Sequence, residues 1–187
     1  MKDIFLVTGN AHKLAEWRRL LPDDIHIESV DIDLPEIQSI NPEEIVADKA
    51  KRAYEVVGKP VVVEDVSAGL SKLGGLPGPF VKFFIKTLGQ DALHILAGNE
   101  HEAATVSCAV AYYDGEDLIT VRGDVKGSVV ASRGDGGFGF DKTFVPDGRS
   151  LTYAEMTPDE KDTVSHRSVA IRLFVSALQQ HPDSIQS

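Results

Sequence analysis

Apolar residues fall into short runs along the first third of the chain, and the spacing within each run sets the element it predicts. Ile4 to Thr8 predicts a short buried strand. Thr8-Gly9-Asn10-Ala11 predicts a turn with Asn10 as a helix N-cap, and Leu14, Trp17, Leu20 and Leu21 follow at helical spacing. Ile25 to Val30 predicts a second strand, leading into Asp31-Ile32-Asp33-Leu34-Pro35-Glu36. Asn41-Pro42-Glu43-Glu44 combines a cap, a first-turn proline and an acid three residues after the cap, so it opens a helix that runs to about Val57 and stops at Gly58. Pro60-Val61-Val62-Val63 predicts a short strand at a buried sheet centre, ending in Glu64-Asp65.

The second half alternates in the same way. Leu73 to Pro79 is a glycine- and proline-rich loop, followed by an aromatic helix from Phe80 to Leu88 and another helix over Asp91 to Leu96. Ala104 to Tyr113 and Asp117 to Val125 predict two strands joined through the hairpin signal Asp114-Gly115, with Val129 and Val130 in a further strand. Gly134 to Gly139 is a loop, and Asp141 to Pro146 is extended. Thr157-Pro158-Asp159-Glu160 is a capping box opening a C-terminal helical region, inside which Ser165 can cap a second helix. Helices at both ends and a central hairpin indicate an α/β or α+β fold with a mixed sheet.

At 187 residues the chain suffices for one domain, or for two lobes sharing one sheet. Hydrophobic residues at 42% and charged residues at 26% are ordinary globular values, with any disorder expected only in residues 181–187. A net charge of −10 disfavours duplex DNA and anionic lipid as partners but leaves room for a local lysine pocket. The single cysteine, Cys108, excludes an internal disulfide and fits a reducing compartment; it is expected to be an inert core residue. No long apolar stretch follows Met1-Lys2-Asp3-Ile4, so neither a signal peptide nor a membrane span is expected, and the protein reads as cytoplasmic.

Four groups of residues could do chemistry. Thr8, Gly9, Asn10 and Lys13 lie between a strand and a helix, where backbone N–H groups and a cation suit phosphate; the alternative is a plain turn. Glu64 and Asp65 at a strand end, with Glu36 in a loop after a strand, could hold Mg²⁺ and orient water; the alternative is surface acids, in a chain with 29 Asp and Glu. Gly134 to Gly139 matches G-x-G-x-x-G, but the extended segment that follows excludes a dinucleotide fingerprint. Phe138 and Phe140 in that loop could lie against a base, or be core aromatics on a turn. Lys161 could meet phosphate, and His166 and Arg167 could bond a base edge, or all could form a charged helix face. His26, His94, His101 and His181 lack an acid or cysteine partner at ligand spacing and are expected at the surface.

In order, the chain carries Thr8-Gly9-Asn10-x-x-Lys13, Leu34-Pro35-Glu36, Glu64-Asp65, Leu73-Gly74-Gly75-Leu76-Pro77-Gly78-Pro79, Phe138-Gly139-Phe140-Asp141, Tyr153-Ala154-Glu155-Met156, and Glu160-Lys161 with Ser165-His166-Arg167. This succession resembles the inosine/xanthosine triphosphate pyrophosphatases from residue 4 to about 178. The resemblance implies a single nucleoside-triphosphate pyrophosphatase domain over 1–187. Its fold would be an elongated, twisted mixed sheet with helices and two lobes around a central cleft. The chain would be a homodimer that hydrolyses ITP, dITP and XTP to the monophosphate and pyrophosphate. Thr8, Gly9, Asn10 and Lys13 would cradle phosphates, with Lys49, Lys82 and Lys161 neutralising them. Glu36 and Asp65 would bind Mg²⁺, with Asp65 also the general base and Glu64 adjacent. Phe138, Gly139 and Phe140 would flank the purine, and Asp141, His166 and Arg167 would read its edge.

Two positions depart from that pattern. Val66 stands where the family often has Ser or Thr, which shifts a hydroxyl contact to Ser67; Lys142 stands where the family favours proline, which bears on base preference. A pyrophosphatase of the same broad fold acting on pyrimidine or methylated nucleotides, and a nucleotide sensor without turnover, are the competing readings. A DNA- or RNA-binding module is disfavoured by the acidic charge and the lack of a basic run.

Overall fold

The computed structural model describes residues 2–98 and 101–180. The tail expected at 181–187, with His181, lies outside the described residues.

In chain order the elements are β1 (Lys2–Val7), α1 (Ala11–Leu20), β2 (Ile25–Val30), α2 (Pro42–Val57), β3 (Val61–Leu70), β4 (Pro77–Gly78), α3 (Val81–Leu88), α4 (Ala92–Ala97), β5 (Glu102–Tyr113), β6 (Leu118–Val129), β7 (Phe144–Pro146), α5 (Pro158–Val164) and α6 (His166–Gln180). The seven strands form one mixed sheet in the order β2-β1-β3-β5-β6-β7, with β4 on β3. β1 runs parallel to β2 and to β3, while β4 is antiparallel to β3 and β7 to β6. This is the mixed α/β fold that the alternation of elements implies. Among the described residues no helix is long and apolar enough to cross a membrane.

Local chemistry explains most boundaries. Asn10 caps α1 through its side-chain oxygen, and Asn41 caps α2, where Pro42 fills the first position. The acid of the α2 cap works through an intermediary: Asn41 donates its N–H to Ser39 Oγ at 3.0 Å, and Ser39 Oγ donates to Glu44 at 2.8 Å. Thr157 and Glu160 form a complete reciprocal capping box on α5. The C-terminal helical region is broken at Ser165, which closes α5.

The largest difference from expectation is β3. It does not end at Glu64-Asp65 but continues to Leu70, buried over nearly its whole length. Its parallel partner β1 pairs only with Val61 and Val62; further along, Ala68 and Gly69 pair with Gly78 and Pro77 of β4. On its other side β3 neighbours β5 in the sheet. Likewise, Val129 belongs to β6 rather than to a separate strand, and Pro77-Gly78 is a two-residue strand within the expected loop.

The chain divides into two compact units. The first comprises Met1–Asp65, Cys108–Gly123 and Ser168–Ser187; the second comprises Val66–Ser107 and Asp124–Arg167. In the first, Val46, Ala50 and Ala53 of α2 pack on Val7, Val61, Val63, Ala109 and Ala111. The alternate positions of the strands face away from α2, where Tyr112 and Trp17 meet Phe174 of α6 at 6.2 and 5.8 Å. In the second, Ala68, Leu70, Val81, Leu93, Phe140, Phe144 and Tyr153 share a core.

Candidate active site

Strand alternation puts the consecutive acids Glu64 and Asp65 on opposite faces of β3. Asp65 follows Val63 and Val61 on the α2 side, in a buried position. Its Oδ2 is buried without a hydrogen-bond partner among the described residues. Burial pushes the Asp65 carboxyl up to about 6, against the pull of Lys49 and Lys13; Glu64 adds to the rise. Lys49 ion-pairs with Glu36 at 2.8 Å. Burial and the nearby Lys13 lower the Lys49 ammonium below its ordinary range, while Asp65 and Glu64 oppose that shift. On the other face, Glu64 Oε1 accepts from Lys13 at 3.0 Å and Oε2 accepts from the Trp17 indole N–H at 2.7 Å. Glu64 and Asp65 are therefore buried groups, not surface acids.

The turn before α1 is built differently from an open phosphate cradle. The Asn10 carboxamide oxygen already takes the N–H groups of His12 and Lys13, at 2.9 and 3.3 Å, and Asn10 donates its own N–H to Thr8 Oγ1 at 3.1 Å. A phosphate arriving there competes with the Asn10 side chain for those donors. Gly9 lets the Asp31 carboxylate approach closely: a Cβ at this position would lie 2.5 Å from an Asp31 oxygen, so that exposed side chain would have to move.

A second cluster is built within the other unit. Asp141 Oδ2 accepts from the Phe138 backbone N–H at 2.9 Å and from Lys161 Nζ at 2.7 Å, and both acid and lysine are buried. Lys161 Nζ and the Arg167 guanidinium lie 4.9 and 5.5 Å from the Phe138 ring centre, and Lys161 is also 5.6 Å from that of Tyr153. His166 lies 5.6 Å from Phe140 and 5.8 Å from Tyr153. Gly137 has φ 71°, and a Cβ there would come within 2.4 Å of Asp141 Oδ2, so the loop closes tightly on that carboxylate.

Several expectations change here. Phe140 is 4% exposed and packs edge-on against Phe144, so it is a core aromatic that backs His166 rather than an open face. Phe138 and Gly139 are partly exposed. Lys161, His166 and Arg167 are buried, which excludes a solvated helix face. Ser67 is buried on the β3 face that carries Asp65, and Lys82 is exposed, its Nζ 5.2 Å from the centre of its neighbour Phe83. His94 is half-buried with a buried ring nitrogen, not a surface group, whereas His26 is exposed near Glu28 at 3.6 Å and His101 is exposed. Cys108 is buried as expected. Trp17 was legible in the sequence only as a helix-core residue. Its partner lies 47 positions away, a pairing that no local pattern encodes.

Residues 4–177 match the Ham1 family. The chain belongs to the Ham1 family. It is 40% identical over 173 residues to an inosine triphosphate pyrophosphatase of Schizosaccharomyces pombe, covering 91% of this chain and 92% of that protein. Among solved structures, the Staphylococcus aureus Ham1 protein superposes with a TM-score of 0.82 at 24% identity, over 96% of this chain and all of that one. A Mycobacterium abscessus structure, described as a nucleoside-triphosphatase / dITP/XTP pyrophosphatase, has a TM-score of 0.69 at 28% identity, over 94% of this chain and 98% of that one. Family membership thus rests on the sequence match, and the S. aureus Ham1 structure bears on the fold alone.

Proposed function

We propose that this Ham1 chain hydrolyses deaminated purine nucleoside triphosphates (ITP, dITP and XTP) to the monophosphate and pyrophosphate, removing them from the nucleotide pool. The observation that carries the reading is Asp65: a buried carboxylate with an unpartnered oxygen, poised near neutrality and within the field of Lys13 and Lys49. The S. pombe and M. abscessus relatives, by their names, support the substrate class.

Mg²⁺ fits these residues. It is commonly held by one or two carboxylates together with substrate phosphate oxygens, and Asp65 offers an oxygen that no donor occupies. Glu36 is the second ligand in this reading, exchanging its contact with Lys49. When bound, the ion offsets phosphate charge and favours departure of pyrophosphate. Asp65 takes a proton from water as that water's oxygen bonds the α-phosphorus and the α–β bridging P–O bond breaks, its electron pair leaving with pyrophosphate. A base titrating at about 6 is mostly ionised at neutral pH yet accepts a proton readily. Lys13 and Lys49 neutralise the phosphates, aided by the Thr8–Asn10 turn.

The Phe138 shelf takes the purine, and buried Arg167 and His166 bond its edge. Asp141 acts through Phe138 and Lys161, and Lys161 serves the base end, since its charge is paired there. A donor aimed at a 6-oxo group meets an amino group in ATP, and each lost buried bond costs about 1–3 kcal/mol, or roughly 10- to 100-fold. A homodimer in the cytoplasm completes the proposal.

The test is incubation with Mg²⁺ and ITP, XTP, dITP, ATP, GTP and dTTP, with pyrophosphate and orthophosphate measured separately. Pyrophosphate from the deaminated purines, with little from ATP or GTP, is expected. Pyrophosphate from dTTP instead would move the protein to pyrimidine substrates, and orthophosphate as the direct product would overturn the mechanism.

A further inference from the structure

We infer that Glu64 is a positioning residue that holds Lys13 for the triphosphate, and that Trp17 fixes Glu64 in that role. Lys13 and Trp17 are four residues apart on α1, so both project from one face of the helix. They grip the two oxygens of one carboxylate: Lys13 Nζ on Oε1 at 3.0 Å and the indole N–H on Oε2 at 2.7 Å. The Glu64 side chain is 1% exposed, whereas Lys13 retains 23%. Trp17 has no exposure and is braced edge-on by Phe174 at 5.8 Å. One donor of the ammonium is thus fixed from below, and a lysine has three, so the others can turn outward to phosphate.

An ionised carboxylate is costly to bury unless its oxygens are bonded. An apolar side chain could fill the Trp17 position, but it would withdraw the short indole N–H bond and leave Oε2 with the weaker Cys108 thiol contact at 3.9 Å. Glu64 is also the poorer metal ligand of the adjacent acids. Both of its oxygens accept donors, while Asp65 Oδ2 accepts none among the described residues. The inference rests on the functional reading above and deepens it at the phosphate end.

The test measures binding, so it does not require turnover. The dissociation constant of the α,β-methylene analogue of ITP, with Mg²⁺, is determined by calorimetry for wild type, Lys13→Ala, Glu64→Gln and the double variant. In Glu64→Gln the amide keeps an acceptor for Trp17 but opposes one of the two donors. Affinity is expected to fall about 10-fold, and Trp17→Phe to lower it about 3- to 10-fold, as for a partly transmitted loss of a charge-assisted hydrogen bond. Because Glu64 acts through Lys13, Glu64→Gln is expected to change affinity less than about 2-fold in the Lys13→Ala background. Multiplicative effects would overturn the inference, because they would make Glu64 independent of Lys13.

The chain has one tryptophan, so its fluorescence gives a second readout. The analogue should change Trp17 emission in wild type and change it far less in Glu64→Gln at saturating analogue. An equal response in both, or none in wild type despite calorimetric binding, would overturn the coupling. No calorimetric binding by wild type would instead overturn the functional reading itself, a result separable from either failure.

Discussion

Replacing Asp65 with Asn is expected to stabilise the metal-free protein while abolishing turnover. The Asp65 carboxyl rises from 3.8 to about 6 on folding, chiefly through burial. At 1.36 kcal/mol per unit, the ionised group disfavours the folded state by about 3 kcal/mol. The raised value means that the folded protein holds this proton more tightly than the unfolded chain does. The penalty is therefore fully present above about pH 6, shrinks as pH falls, and is gone below the unfolded value near 4. Asparagine removes the charge but brings an amide that also needs partners, so a gain of about 1–3 kcal/mol at pH 8 is expected. Urea unfolding with a chelator present, on both proteins from pH 4 to 8, reads the difference directly. A variant equal to or less stable than wild type at pH 8, or a difference that did not shrink toward pH 4, would refute the reasoning. Such a result would mean that Asp65 is better solvated than its burial implies. The expected combination also reflects a general cost of active sites, where a charge is held in an environment chosen for reactivity rather than stability.

Other substitutions probe the remaining parts. Asp141→Ala removes the carboxylate that Lys161 Nζ meets at 2.7 Å in a buried position and is expected to lower stability by several kcal/mol, about 3–5 at most, in denaturant unfolding. Gly137→Ala, at positive φ and pressed against Asp141, is expected to cost more than about 1 kcal/mol and to weaken ITP binding by calorimetry. Arg167→Ala is expected to narrow the ITP-to-ATP preference in kcat/KM by about 10- to 100-fold, whereas Lys13→Ala weakens all triphosphates alike. Thr157→Ala should lower thermal stability by about 1 kcal/mol through the α5 cap. Hydrogen bonds from Thr157 hold Glu160 below its ordinary value. Its contribution is thus present above the unfolded value of about 4.5 and lost as pH falls through the lower folded value, a dependence that Glu160→Gln should remove from thermal melts.

Much of the fold was legible because its causes are local. The caps Asn10, Asn41 and Thr157, the stop at Gly58 and the hairpin at Asp114-Gly115 act within a few residues, so helix and strand edges follow from the residues themselves. Family resemblance then marked candidate site positions, since ordered motifs are a property of sequence alone. The length of β3 was not legible, because its neighbours in the sheet are β1, β5 and, beyond Asp65, β4, segments distant in the chain that no local pattern names. Burial was equally hidden: from sequence, Lys161, His166 and Arg167 fit either ligand contacts or a charged helix face, and it is their burial beside Asp141, Tyr153 and Phe138 that excludes the second. Phe138 and Phe140 look equivalent in sequence, yet one is partly exposed beside two buried cations and the other is sealed in the core. The sequence by itself determined which elements form and which side chains are available for chemistry. Only the tertiary structure decided which carboxylates keep an open oxygen and which are already bonded, because desolvation and partnership depend on residues brought together from far along the chain.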